Sequence, residues 1–355
     1  MNDANHTTKR GDKLAGKLGG FTNVRAVPWH SRGFLASQTA YVALALIVLM
    51  AIIAAIAPEF LSFGNLSNVL TDFSYIGIVS LGETLVLITG GIDLSVGSTM
   101  ALSAIIMALL FRTLGATALA AEPGAVMLAS TIGGLLVGGG VGLVNGLLIA
   151  RAGLSPFITT LGMLSIVRGL CYAITSGYGV DIGGSDSKLF FRLSDGTLFG
   201  LPMPLLYLIA LAVIMALMLH HSARGRHVFA IGGNERAAGL TGVPVQRVKI
   251  GVYVISGLLS AIAGILLAGW LGSVPANLAD GYELRIIAAS VIGGANLLGG
   301  VGGPLGAIVG AALIEVIRNG LVLAKVNTYW QDTFVGAIII AAVFVDRLRS
   351  RRLGQ

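Results

Sequence analysis

Residues 124–150 read GAVMLASTIGGLLVGGGVGLVNGLLIA, without one charged side chain. As a helix this run is about 40 Å long, enough to cross a bilayer core of about 30 Å. Within it Gly134, Gly138, Gly142 and Gly146 recur every four residues and form a nearly straight groove along one helix face. Small residues at that spacing let a second helix backbone come close in lipid, where association depends on packing. The stretch predicts a membrane helix pressed against another helix. Gly302, Gly306 and Gly310 repeat the device, and Ser256, Ser260, Gly264 and Ala268 make a weaker version. Tight packing is the favoured role of all these residues over direct contact with a solute.

Working outward, apolar runs of about 20 residues recur from residue 35 onward. They place spans at 35–57, 67–89, 94–112, 124–150, 156–174, 203–220, 249–270, 284–299, 303–324 and 330–346. Charged residues make up 11% of the chain, against about 25% in ordinary soluble domains, and the mean hydropathy is +0.88. The apolar-polar alternation of a membrane barrel is absent. The expected fold is an all-α transmembrane bundle of about ten spans over 35–346. Segments near 90 and 300 are rich in Gly and read as broken or re-entrant. Basic tails at 1–34 and 347–355 flank the bundle. A signal peptide competes for the start of the chain, but the run from Leu35 to Ala57 is longer than a signal core and Pro58 follows the would-be cut.

Sixteen of the 23 Lys and Arg fall in the two tails, at Arg151 and in the stretch from Arg224 to Lys249 around the loop 221–248. By the positive-inside rule both termini and that loop are expected in the cytoplasm. The net charge of +7 is read the same way, as positive flanks of membrane spans rather than a nucleic-acid surface. On the other side, residues 175–202 form the largest loop, either a solvated connection or a docking face for an extracytoplasmic partner.

The loop 221–248 spells one short helix of its own. Asn234 is a good N-cap, Glu235 suits the positive end of the helix dipole, and Gly242 with Pro244 stops it. About seven helical residues are too few to stand alone in water, so the helix is expected to dock onto a soluble partner.

A second pattern is an internal echo. Gly90-Gly91-Ile92-Asp93-Leu94-Ser95-Val96-Gly97 resembles Gly293-Gly294-Ala295-Asn296-Leu297-Leu298-Gly299, and each interrupts an apolar run. Glycine interruptions at corresponding places in two halves point to a transport pathway. Asp93, Ser95 and Asn296 are therefore candidate path residues. Glu83 joins them as one of the few ionisable groups inside a span, the others being Asp72, Arg168, Arg285, Glu315 and Arg318. Glu315 and Arg318, three apart on one helix face, read as a pair.

Missing chemistry narrows the function. There is no G-x-x-x-x-G-K-[ST] loop, no H-E-x-x-H, no cysteine pair and no G-x-S-x-G. Cys171 is the only cysteine. His220 and His221 are adjacent at a span end, an interfacial position rather than a metal site. No cofactor is expected, and the chain reads as a conduit rather than a catalyst.

The run Gly225 to Val243 resembles the cytoplasmic loop of ribose-type sugar permeases, the membrane subunits of bacterial ATP-binding-cassette importers. The stretch Thr89 to Ser98 is similar to that family's most specific signature. Phe60-Leu61-Ser62, Asn65-Leu66-Ser67-Asn68, Gly281-Tyr282-Glu283-Leu284 and Arg318-Asn319-Gly320-Leu321 also match. The resemblance runs from about residue 40 to 347. It implies a permease in the inner membrane, paired with a second copy or a like permease, served by a cytoplasmic ATPase and a periplasmic sugar-binding protein. The short helix would then be the coupling helix, with Asn234, Glu235, Ala237, Ala238, Gly239 and Gly242 at the contact. Arg285 and Val301 depart from the family pattern. A stand-alone secondary transporter or channel, and a structural membrane scaffold, are the competing classes.

Overall fold

The computed structural model describes residues 38–340 except 123, 184, 185, 328, 329, 331, 332, 335, 338 and 339. The two basic tails and most of the last expected span, 330–346, lie outside the described residues. The first long helices are α1 (Gln38–Ile56), α2 (Phe63–Ile88), α3 (Val96–Leu114), α4 (Ala125–Ala150) and α5 (Pro156–Thr175). A connection follows with β1 (Val180–Asp181), α6 (Ser187–Ser194), β2 (Thr197–Leu198) and β3 (Leu201–Pro202). Then come α7 (Met203–His221), the loop helices α8 (Ala223–Gly233) and α9 (Glu235–Leu240), and α10 (Val245–Leu271). The described chain closes with β4 (Ser273–Val274), α11 (Tyr282–Ile292) and α12 (Pro304–Leu323).

Among the described residues, eight helices are long and apolar enough to cross a membrane: α1 to α5, α7, α10 and α12. Each strand is two residues long. The protein is an all-α, multi-pass membrane bundle. The run 284–299, expected to be a full span, is not one. Its helix α11 has 11 residues, about 16 Å or roughly half a bilayer, because Gly293 and Gly294 end it early.

Helix α2 is the axis of the bundle. Its span is 94% buried, whereas that of α1 is 0% buried and packs at the periphery. α10, α12, α11 and α7 surround α2. Its buried face includes Tyr75, Ile78, Leu81, Leu85 and Ile88. Ser62 starts the helix by accepting a hydrogen bond from the Asn65 N–H.

The groove of α4 receives α10, the most extensive helix contact among the described residues. A Cβ on Gly146 would lie 2.8 Å from Ile250 Cα. One on Gly142 would strike the Tyr253 carbonyl, and one on Gly138 would strike the Gly257 carbonyl. Gly134 faces α3, where a Cβ would sit 2.8 Å from the Ser103 carbonyl oxygen. The second glycine series divides. Gly306 and Gly310 bring α12 onto the Gly293 and Ala289 carbonyls of α11, but Gly302 precedes the helix and sits in a turn against Ile88 and Thr84. Pro304 at the first helical position explains the offset, since α12 can begin there but not before.

The connection 175–202 is a folded cap rather than a bare loop. β1 pairs with β4, holding the ends of α5 and α10 together. α6 lays Phe190 against Phe111 at 5.7 Å between ring centroids, and against Gly269.

Candidate functional site

The two glycine echoes are one device used twice. At the end of α2, Gly90 takes φ 75°, Gly91 N–H donates to the Val86 carbonyl and Gly90 N–H to that of Leu87. That pair of bonds is a Schellman cap, which needs a left-handed residue where glycine carries no Cβ penalty. At the end of α11, Gly294 takes φ 109°, with Ala295 N–H on Ser290 and Gly294 N–H on Val291. Structurally, then, Gly90 corresponds to Gly294, one residue out of register with the sequence alignment. An Asx turn follows each cap. Asp93 accepts from Ser95 N–H at 3.0 Å, and Asn296 from Leu298 N–H at 2.9 Å.

Burial separates the two turns. After Gly91 the chain runs back alongside α2, and Asp93 N–H donates to Glu83 Oε1 at 3.2 Å. Asp93 also accepts from Ser95 Oγ at 2.6 Å and Ser256 Oγ at 3.2 Å, while Asn145 Nδ2 donates to Ser95 Oγ at 2.9 Å. Tyr253 and Thr160 hydroxyls donate to the Ile92 carbonyl. Glu83, Asp93 and Ser95 are at most 2% exposed. The residues expected to line a path thus form a sealed knot joining α2, α3, α4 and α10. It satisfies the backbone of an unwound stretch that lipid could not. Among the described residues, Glu83 Oε2 and Asn145 Oδ1 have no hydrogen-bond partner. Asn145 and Ser256, absent from the expected path set, carry the knot; their signal in the sequence was a polar residue within an otherwise apolar run.

Asn296, by contrast, is exposed. Its turn folds onto the end of α2, where Gly300 N–H donates to the Ile88 carbonyl at 2.9 Å. α8 closes the junction. Gly232 lies so near that a Cβ would strike the Ile88 carbonyl oxygen and Gly300 N. The last turn of α8 is therefore wedged between the two glycine turns. Sequence reading assigned Gly232 no role, because close approach of three distant segments leaves no local mark.

α9 follows immediately. Asn234 Oδ1 accepts from Ala237 N–H at 3.0 Å, and Gly242 at φ 88° stops the helix with Val243 N–H on the Ala238 carbonyl. Ala238 is buried, while Glu235, Ala237, Gly239 and Leu240 are exposed, Leu240 by 90%. Lys249 at the start of α10 bonds Glu235 at 2.6 Å. The helix is thus tied to the bundle on one side and bare on the other.

A family model described as the permease component of the branched-chain amino acid transport system matches residues 65–343. The chain belongs to this permease family. It is 36% identical to the ribose import permease protein RbsC of Escherichia coli K12, over 85% of this chain and 92% of that one. It is 34% identical to the D-allose transport system permease protein AlsC of the same organism, over 86% and 90%. Against the galactose/methyl galactoside import permease protein MglC of Haemophilus influenzae it is 38% identical, over 86% and 92%. The match takes in both glycine turns, the knot and α9, so the permease family's region and the described bundle nearly coincide.

Proposed function

We propose that this permease is the membrane subunit of an ATP-binding-cassette importer that moves a monosaccharide into the cytoplasm, with ATP hydrolysed on a separate subunit. The observation that carries the reading is the bare, capped helix α9 beside α8, whose Gly232 wedges between the ends of α2 and α11. A push on α9 has a short, packed route to both glycine turns. The sugar class is supported by the names of the three relatives above, which name ribose, allose and galactose, although the family's own description names amino acids. The basic loop and tails support a cytoplasmic face at α9. A second permease copy and an extracytoplasmic binding protein complete the assembly in this reading, within a bacterial inner membrane.

Gly239 makes the test clean. A Cβ there would meet only Val245 Cγ2 at 3.9 Å, so a large side chain leaves the bundle undisturbed while filling the docking face. Glu235 is similarly exposed, and its ion pair with Lys249 is worth only about 0.2–1 kcal/mol. In the reconstituted importer, Gly239→Trp and Glu235→Trp should insert normally and lower sugar uptake by about tenfold, out of proportion to any change in ATP hydrolysis. Normal uptake by both would remove the coupling role. Sugar uptake by the permease alone, driven by an ion gradient, would instead favour a secondary transporter.

A further inference from the structure

Between β4 and α11 the chain makes a descent that no span accounts for. β4 pairs with β1 just beyond the end of α5, at the cap of the bundle. α11, however, begins halfway down. Ser80 Oγ donates to the Ile286 carbonyl and Ser290 Oγ to the Ser80 carbonyl, which sets α11 beside α2 at Ser80. Both helices run toward the Gly232 junction, and Tyr282 stands about 6 Å further back than Ile286. The 26-residue α2, about 39 Å long, has its midpoint at Tyr75–Ile76, about 7 Å back from Ser80. Tyr282 is therefore level with the middle of the bundle, and residues 275–281 cross the outer half of the membrane as irregular backbone.

Such backbone survives at that depth only against protein or water. One side of it is held by protein. Arg168 of α5 donates to the Ala276 and Leu278 carbonyls at 3.4 and 2.9 Å. Gly97, at the start of α3, lets the segment approach until a Cβ there would lie 2.7 Å from the Ala279 carbonyl oxygen and 2.5 Å from Glu283 Oε2. Ala279 is held at φ 52°, a left-handed conformation that alanine rarely adopts. The other side is open. Asn277 is exposed, the Asp280 side chain is 67% exposed, and Leu284 follows at 62%. Arg168 reaches Asp280 only at 3.7 Å, so the carboxylate keeps most of its hydrogen-bonding capacity. A carboxylate this exposed at membrane mid-depth cannot face lipid.

We propose that the descending segment 275–281 forms the wall of the translocation path. Asp280 and Asn277 meet the solute there, a neutral monosaccharide whose hydroxyls donate to the carboxylate and exchange hydrogen bonds with the amide. Leu284 supplies an apolar surface beside them for the C–H face of the ring. The assignment of the solute rests on the sugar-import reading above; the position of the path does not. It moves the path away from the knot at Asp93, whose Glu83, Asp93 and Ser95 are at most 2% exposed.

Two measurements test it. Cys171, the only cysteine, is buried and serves as the unreactive background. In intact cells, Asp280→Cys and Asn277→Cys should react with a small, charged, membrane-impermeant thiosulfonate, while the unsubstituted protein should not. Absence of labelling at both overturns the path, as does disulfide cross-linking between two copies of the Asp280→Cys variant in place of labelling. In the importer assembled with its ATPase and binding protein, Asp280→Ala should lower uptake about tenfold or more, as expected for losing a hydrogen bond to a charged group. ATP hydrolysis should stay within about twofold, and Asp280→Asn should fall between. Asn277→Ala, which removes only an exposed amide, should lower uptake as well and guards against a folding artefact. Unchanged uptake in both alanine variants overturns the solute contact. An unsubstituted importer that moves no monosaccharide would sink the sugar reading instead, while cysteine labelling would still report the path.

Discussion

Gly142→Leu is expected to prevent α4 and α10 from closing, and with them the bundle. The first side-chain atom would collide with the Tyr253 carbonyl and lie 3.0 Å from Val254 Cα. Both are backbone of a helix already seated against α2, so neither can swing aside as a flexible side chain would. Overpacking in a core typically costs about 1–3 kcal/mol, and this case belongs at or beyond the upper end. Lipid offers no compensating hydrophobic drive, because a separated apolar helix is as well solvated as a packed one. Gly140, two positions earlier on the same helix, has no atom within 4 Å of where its Cβ would be. Gly140→Leu should therefore yield monodisperse protein in detergent with an unfolding midpoint near that of the unsubstituted chain. Gly142→Leu should be largely aggregated, or unfold at a clearly lower temperature. Equal stability of the two variants would refute the close-packed groove.

The second large effect concerns Asp93. Its carboxylate receives three hydrogen bonds, from Ser95 N–H, Ser95 Oγ and Ser256 Oγ, in surroundings closed to water. Asp93→Ala leaves those three donors without their acceptor. Each buried orphan costs about 1–3 kcal/mol, so the total loss should reach about 3–5 kcal/mol even allowing for coupling within the network. Asp93→Asn keeps one oxygen for the Ser95 donors and should lose less than half as much. The comparison also separates the two roles open to this residue. A knot residue shows a stability loss ranked Ala above Asn, with transport falling in step with folded protein. A solute-contacting residue would show normal thermal stability and lost uptake in both variants. Thermal unfolding and uptake per folded molecule, measured on the same preparations, decide between them.

Much of the architecture was legible because it is written locally. Long uncharged runs specify membrane helices whatever their neighbours are, since an unsatisfied backbone is intolerable in lipid. The bounds of α9 could be read from Asn234 and Gly242 because capping involves atoms within a turn of one another. The α4 groove was visible for a similar reason: a four-residue period maps directly onto one helix face. Reading failed where two segments share a composition but not an environment. Residues 284–299 are apolar enough for a span, yet the Schellman cap at Gly294 halves the helix. Gly302 keeps the four-residue period but falls outside α12.

What the amino-acid sequence determined by itself was the membrane class, the helices, their caps and the glycine face that must meet another backbone. Tertiary structure alone decided which polar residues are sealed and which are open. Asp93 and Asp280 are both aspartates beside broken helices, and no local feature tells which of the two is exposed. Asp93 is buried because Ser256, 163 positions away, closes over it. Asp280 is open because Arg168, from α5, grips the backbone before it and leaves its side chain outward. Exposure is a sum over neighbours far apart in the chain, so only the folded arrangement of helices could assign it.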